Sequence, residues 1–106
     1  MKKSVIIIGA GPGGLTLALT LAQFGIKPII VEKTKKKSLF TKALSMQPRT
    51  LEIMDSFSLL THFLEKGNQI KKNNFHVNGS FVGALDFEKL PSKCNYLLSI
   101  TQPETE

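Results

Sequence analysis

The sequence predicts an α/β fold that opens on two parallel strands joined by a helix, and three observations carry this. The stretch Val5-Ile6-Ile7-Ile8 is a short β-branched run, which favours strand over helix. Leu15 to Phe24 is rich in Leu, Ala and Thr and is bounded by Gly14 and Gly25, the composition of a helix with a glycine stop. Pro28-Ile29-Ile30-Val31 is a second apolar run and ends at Glu32. Strand, glycine turn, helix, strand and acid follow one another within about 30 residues, the extent of one βαβ unit. The unbroken apolar runs suit parallel strands covered on both faces.

The same opening also fits a cleaved secretion signal or a membrane span. Met1-Lys2-Lys3-Ser4 is followed by a stretch with no charged side chain as far as Gly25. A membrane helix needs roughly 20 apolar residues in one continuous helix. Gly9, Gly11, Pro12, Gly13 and Gly14 cut this stretch in two, so no span is expected. A signal peptide gives no reason for a second strand and a terminal acid to follow. A nucleotide cradle explains all of these features.

In such a cradle each residue has a physical task. Gly9 allows the tight turn out of the first strand, and Gly11 lets backbone approach a pyrophosphate where a Cβ would collide with it. Gly14 lets the helix pack near the strand. Pro12 falls in the first helical turn, where its missing N–H costs nothing. The helix N-terminus offers free N–H groups and partial positive charge to phosphates. Glu32 follows Gly14 by 18 residues, close to the spacing of a carboxylate that accepts from ribose hydroxyls. The pattern points to an adenine dinucleotide, NAD or FAD. The acid argues against a 2′-phosphate at this ribose, and so against NADP in this groove.

Beyond Glu32, Lys33 to Thr41 is polar and basic and is expected to be a surface loop at the adenosine end. Pro48 is placed to open a helix carrying Leu51, Met54 and Phe57, with Ile53 flanking them. Ser58 is a candidate cap for a second short helix with Leu59, Leu60, Phe63 and Leu64, stopped at Gly67. These Met and Phe positions are expected in the core, and His62 is expected to be a bystander. Gly67 to Asn74 is expected to be a polar connection. Asn78-Gly79 between two β-type runs predicts a hairpin over Phe75 to Phe87, its register open between Asn78-Gly79 and Gly79-Ser80 turns. Leu90 to Lys93 is expected to be a loop, Asn95 to Ile100 a strand, and Thr101 to Glu106 a terminal tail.

Composition narrows the function classes. The 106 residues suffice for one small core, and 42% hydrophobic with 21% charged residues is a globular balance. The net charge of +6 comes largely from Lys33 to Lys37 and Lys71-Lys72. Nucleic-acid binders usually interleave aromatics or arginines with their lysines, and Arg49 is the sole arginine, so a solvated basic loop is preferred. One cysteine, Cys94, gives no internal disulfide, and a cytoplasmic protein is expected. No metal-ligand spacing, no Cys/His pairing and no Ser/His/Asp set is present, and Cys94 and His76 are read as ordinary.

Three stretches together resemble the N-terminal part of the FAD-dependent aromatic-ring hydroxylases, the para-hydroxybenzoate hydroxylase-like monooxygenases. They are Val5 to Lys33, the segment KALSMQPRTLEIMDSFSLL from Lys42 to Leu60, and SITQPETE from Ser99 to Glu106. The resemblance implies a Rossmann-like FAD-binding βαβ unit, then short helices, then a β-hairpin from an incomplete substrate-domain sheet. It divides the chain into residues 1–67, the dinucleotide-binding part, and 68–106, the beginning of the substrate domain. It places Gly9, Gly11, Pro12, Gly13 and Gly14 at the pyrophosphate, Glu32 on the ribose and Lys33 beside the adenosine. Lys42 stands where the family's arginine precedes alanine, keeping the charge without the planar fork. Gln102 matches a glutamine that contacts FAD, and Ser58 replaces a common glycine.

Family members reduce FAD with NADH or NADPH and use molecular oxygen to hydroxylate an aromatic or similar small molecule. They are several times longer than this chain, and the parts that build the substrate pocket have no counterpart here, so no catalytic residue is assigned. The implied function is that of a FAD-binding segment of such an enzyme, completed by another chain or left to self-associate. A stand-alone nucleotide-binding module and an NAD-dependent reductase domain are the alternatives. The reductase explains the first stretch only.

Overall fold

The computed structural model describes residues 4–36 and 43–106. The end of the basic loop, Lys37 to Thr41, and the candidate Lys42 lie outside the described residues. The chain divides into two compact units, Met1–Phe40 with Thr105–Glu106, and Thr41–Glu104.

In the first unit the apolar opening is a strand, a turn and a helix, not one continuous helix. Strand β1 is Ile6–Ile8, helix α1 is Pro12–Gln23 and strand β2 is Ile29–Val31. The two strands are parallel, with Ile6, Ile7 and Ile8 opposite Ile29, Ile30 and Val31. Helix α1 ends in paired reverse bonds: Gly25 N–H donates to the Ala22 carbonyl and Ile26 N–H to the Leu21 carbonyl, both at 3.0 Å. Such bonds satisfy carbonyls that the last helical turn would leave free. Thr16 and Thr20 donate their hydroxyls to the carbonyls of Pro12 and Thr16 at 2.7 and 2.9 Å, so these polar groups lie on the helix at no hydrogen-bonding cost.

One expectation for this unit needs correction. The strands are not covered on both faces: Ile7 is buried, while Ile6 and Ile8 are 60% and 88% exposed. Successive strand side chains point to opposite faces, and α1 supplies a layer for only one of them. Helix α1 itself has no buried residue, although a helix apolar on every side normally sits inside a larger core.

The second unit holds a three-stranded antiparallel sheet. Its central strand, β7 (Leu97–Ser99), lies between β3 (Ser45–Met46) and β4 (Asn68–Ile70). Helix α2 is Pro48–Ser56 and helix α3 is Leu60–Lys66. Met46, Leu51, Met54, Phe63, Cys94, Tyr96, Leu98 and Ile100 form one buried cluster, with Phe57, Leu59, Leu60 and Leu64 packed against it. The expected core residues of both helices are thus core. The cluster draws on residues from both sides of Gly67, so the compact units divide elsewhere than at that glycine. His62 is exposed, as expected of a bystander.

Three local expectations are revised, and the helix stop at Gly67 holds. Ser58 does not cap the second helix; it has φ +60° and ends the first. Its N–H donates to the Asp55 carbonyl at 2.9 Å and Leu59 N–H to Met54 at 3.0 Å, the same reverse pairing that closes α1. The polar stretch after Gly67 is not a plain connection, because Asn68, Gln69 and Ile70 pair with Ser99, Leu98 and Leu97. Gly67 ends α3 with φ −116°, so its use lies in packing: a Cβ there would stand 2.8 Å from Leu98 Cγ. The terminal tail contains a short helix, α4, at Gln102–Thr105.

The hairpin forms over β5 (Lys72–Val77) and β6 (Ser80–Asp86), as a separate two-stranded sheet. Its open register resolves to the Asn78-Gly79 turn, with φ of +49° and +81° and Val77 opposite Ser80. Both positive φ values give the twist that right-handed strands need. A register shift between Phe75 and His76 sets His76 against Phe81, whose rings meet edge to face at 5.6 Å.

Candidate functional site: a phosphate cradle at the start of the first helix

The cradle is built from the ends of β1 and β2 and the start of α1. Gly9, with φ +110°, turns the chain out of β1 in a conformation that L side chains rarely adopt. Its N–H donates to the Val31 carbonyl at 2.7 Å, extending the strand pairing by one bond. Gly11 then precedes Pro12 at the head of α1, and the first helical bond runs from Leu15 N–H to the Gly11 carbonyl at 2.9 Å. The Gly13 and Gly14 N–H groups in this first turn have no acceptor within the helix. No side chain caps this end and no acidic residue lies in the first turn. The positive end of the helix is therefore not neutralised by its own residues, the condition under which it attracts an anion.

The glycines differ in what surrounds them. A Cβ on Gly14 would lie 2.0 Å from the Gly9 carbonyl oxygen and 3.3 Å from Ile7 Cγ2. Gly14 is required by the close approach of helix and strand. Among the described residues, a Cβ on Gly11 or Gly13 would meet no atom within 4 Å. At those two positions the protein leaves open space beside backbone N–H groups, which is what a phosphate needs.

Glu32 closes the far side. One carboxylate oxygen accepts from Ala10 N–H at 2.7 Å and the other from Thr34 N–H at 3.0 Å. The Ala10 amide and then the Thr34 amide hold this carboxyl below the usual carboxylate range, against a smaller opposing effect of desolvation. Lys33 comes directly after it and is exposed. Gln102 opens α4, and Lys42 lies outside the described residues.

A model of the FAD binding domain matches residues 2–106. The chain belongs to this family. FAD is therefore the dinucleotide, and an open, acid-free helix start reached through glycines fits its pyrophosphate. An aromatic compound monooxygenase of Bacillus subtilis, YhjG, is 37% identical over the whole chain, which spans 21% of that relative. Anhydrotetracycline monooxygenase of Streptomyces rimosus is 33% identical, again over the whole chain and 20% of its own length. The crystal structure of p-nitrophenol 4-monooxygenase PnpA from Pseudomonas putida superposes with a TM-score of 0.87 at 25% identity, over 97% of this chain and 27% of that one. The chain thus spans about a fifth of the length of the curated relatives it matches.

The second unit carries a polar network that sequence reading did not anticipate. Arg49 pairs with Glu52 at 2.8 Å, Ser92 Oγ donates to Glu52 at 2.8 Å, and Cys94 N–H donates to Ser92 Oγ at 3.0 Å. Lys93 pairs with Asp55. These bonds tie the loop before β7 to helix α2, which gives Arg49 a structural task. Residues 40 positions apart have no sequence signal for such a link. Burial pushes the Cys94 thiol up, so it stays neutral and behaves as a small apolar residue. Among the described residues no group of acidic, His and Cys side chains is placed to hold a metal ion, and no helix is long and apolar enough to cross a membrane.

Proposed function

We propose that this chain is the FAD-holding opening segment of an NADH- or NADPH-dependent monooxygenase that hydroxylates an aromatic or similar small molecule. The observation that carries the reading is the open space at Gly11 beside an uncapped, acid-free helix start, with a carboxylate across the turn. Gly9, Gly11, Pro12, Gly13 and Gly14 shape the seat of the pyrophosphate, and the Gly13 and Gly14 amides donate to it. Glu32 accepts from the ribose hydroxyls, Lys33 lies beside the adenosine, and Lys42 and Gln102 are further FAD contacts. FAD, when bound and reduced by the nicotinamide, supplies the activation of molecular oxygen. The residues of this chain bind and orient its adenosine and pyrophosphate half. The β5–β6 hairpin is the beginning of the sheet on the substrate side. A cytoplasmic setting and no nucleic-acid partner belong to the same reading, supported by a single buried cysteine and by lysines without interleaved aromatics.

The direct test is calorimetric titration with FAD and ADP of the parent and of Gly11→Val. A Cβ at Gly11 meets no described atom within 4 Å, and the backbone there is extended at φ −74° and ψ 179°, which valine adopts freely, so the variant should fold. It should nonetheless lose nucleotide binding, because its side chain fills the space of the phosphate. A Gly11→Val protein that binds both ligands as the parent does would refute the cradle.

A further inference from the structure

Glu32 does more in this structure than wait for a ribose. It stands immediately after β2, and its two carboxylate oxygens accept backbone N–H groups from two different segments, Ala10 in the glycine turn and Thr34 in the loop beyond. Ala10 lies between Gly9 and Gly11, residues that without restraint sample more backbone conformations than any others. The preceding amide, that of Gly9, is held by the Val31 carbonyl at 2.7 Å. Two successive amides of the turn are thus fixed by two successive residues at the end of β2, the first through backbone and the second through a side chain. The open helix start comes directly after these two amides in the chain. We propose that Glu32 is a positioning residue of the phosphate cradle, which fixes the glycine turn through Ala10 before any nucleotide binds.

The proposal rests on the FAD reading of the cradle and deepens it. Hydrogen bonds to an ionised acceptor are stronger than neutral ones. A turn already ordered by such a bond need not lose that freedom when the phosphate arrives. The role is compatible with ribose binding, since an ionised carboxylate offers about four lone-pair sites and the two backbone amides occupy only part of them. Its consequence is distinctive: removing the carboxylate weakens the grip on phosphate even for a ligand that has no ribose hydroxyls.

The experiment uses ADP and 2′,3′-dideoxy-ADP with the parent chain, Glu32→Ala and Glu32→Gln. Each variant is first checked for folding by far-UV circular dichroism, and the exchange rate of the Ala10 amide is read by NMR without ligand. Glu32→Ala should lose affinity for dideoxy-ADP by roughly tenfold or more, the scale of one charge-assisted hydrogen bond. Its Ala10 amide should exchange faster than in the parent. Glu32→Gln keeps one acceptor oxygen and should fall between the two, which also covers a Glu32→Ala protein that fails to fold. Loss confined to ADP, with dideoxy-ADP bound by the variants as by the parent, overturns the positioning role and leaves the cradle intact. A parent that binds neither ligand overturns the cradle reading and this inference with it.

Discussion

Adding one methyl group at Gly14 and at Gly13 separates packing from propensity at the head of α1. At Gly14 the new Cβ would lie 2.0 Å from the carbonyl oxygen of Gly9 and 3.1 Å from its carbon. Those are backbone atoms held by the bond from Gly9 N–H to Val31, so they cannot swing aside as a side-chain end does. Relief needs the helix start to move by about 1 Å, and forced overpacking of this kind costs about 1–3 kcal/mol. Alanine gains about 1 kcal/mol over glycine in a helix, which offsets part of that. Gly14→Ala should therefore be destabilised by up to about 2 kcal/mol. Gly13→Ala meets no described atom within 4 Å and should instead be stabilised by up to about 1 kcal/mol. The two variants differ by one position and carry the same atoms, yet should melt roughly 10 °C apart, given some 4–8 °C per kcal/mol in a domain of this size. Thermal unfolding monitored by far-UV circular dichroism reads this directly. Equal melting temperatures for the two variants would refute the close approach of helix and strand.

Three further outcomes are expected. Ser58→Gly should raise stability by about 0.5–1 kcal/mol, because a side chain at φ +60° is strained and glycine is not; an unchanged melting curve would contradict that. The Ala10 amide resonance should titrate with a midpoint below 4.5, the ordinary value for Glu32. The folded-state value is depressed, so the contribution of Glu32 to the turn is complete above the unfolded value and is lost as pH falls through the folded one. A midpoint at or above 4.5 would show that the carboxylate does not hold Ala10 in solution. Finally, the 106-residue chain expressed by itself should self-associate and carry FAD in less than equimolar amount, since Ile6, Ile8 and Phe24 expose apolar surface in the unit that holds the cradle. Size-exclusion chromatography with an absorbance spectrum decides this, and a monomeric yellow protein with one flavin per chain would oppose it.

The parts of the fold legible in the sequence are those whose cause is local. Four consecutive β-branched or apolar residues, a glycine after Phe24 and an Asn-Gly pair each force one kind of backbone, and β1, the end of α1 and the hairpin lie where those residues put them. The candidate cradle was legible for the same reason, since its spacing is written within one βαβ unit. The features that could not be read depend on distant residues. The strand Asn68–Ile70 is polar and has no alternation of its own; it is a strand because β7 offers it a ladder. Ser58 has the composition of a cap, and only the geometry after Met54 assigns it to the preceding helix. A signal was available, because the resemblance put glycine there, and glycine before a leucine pair reads naturally as a helix stop with positive φ. The bond from Ala10 to Glu32 was hidden for another reason: a carboxylate at ribose spacing has an obvious task, and a second one leaves no trace in the spacing.

Strand β7 makes the second unit dependent on the order in which the chain is synthesised. Its neighbours β3 and β4 precede it by about 50 and 30 residues and do not pair with each other. Until Leu97, Leu98 and Ser99 have been made, both present unsatisfied edges, and Met46, Leu51, Met54 and Phe63 lack the side chains of Leu98 and Ile100 that bury them. Contacts that span so much sequence form late, because the intervening chain must be closed into a loop first. A nascent chain halted before Leu97 would thus be missing the middle of its sheet and not an edge. It would expose that apolar cluster together with two open strands, the kind of species that chaperones capture and that aggregates when they do not.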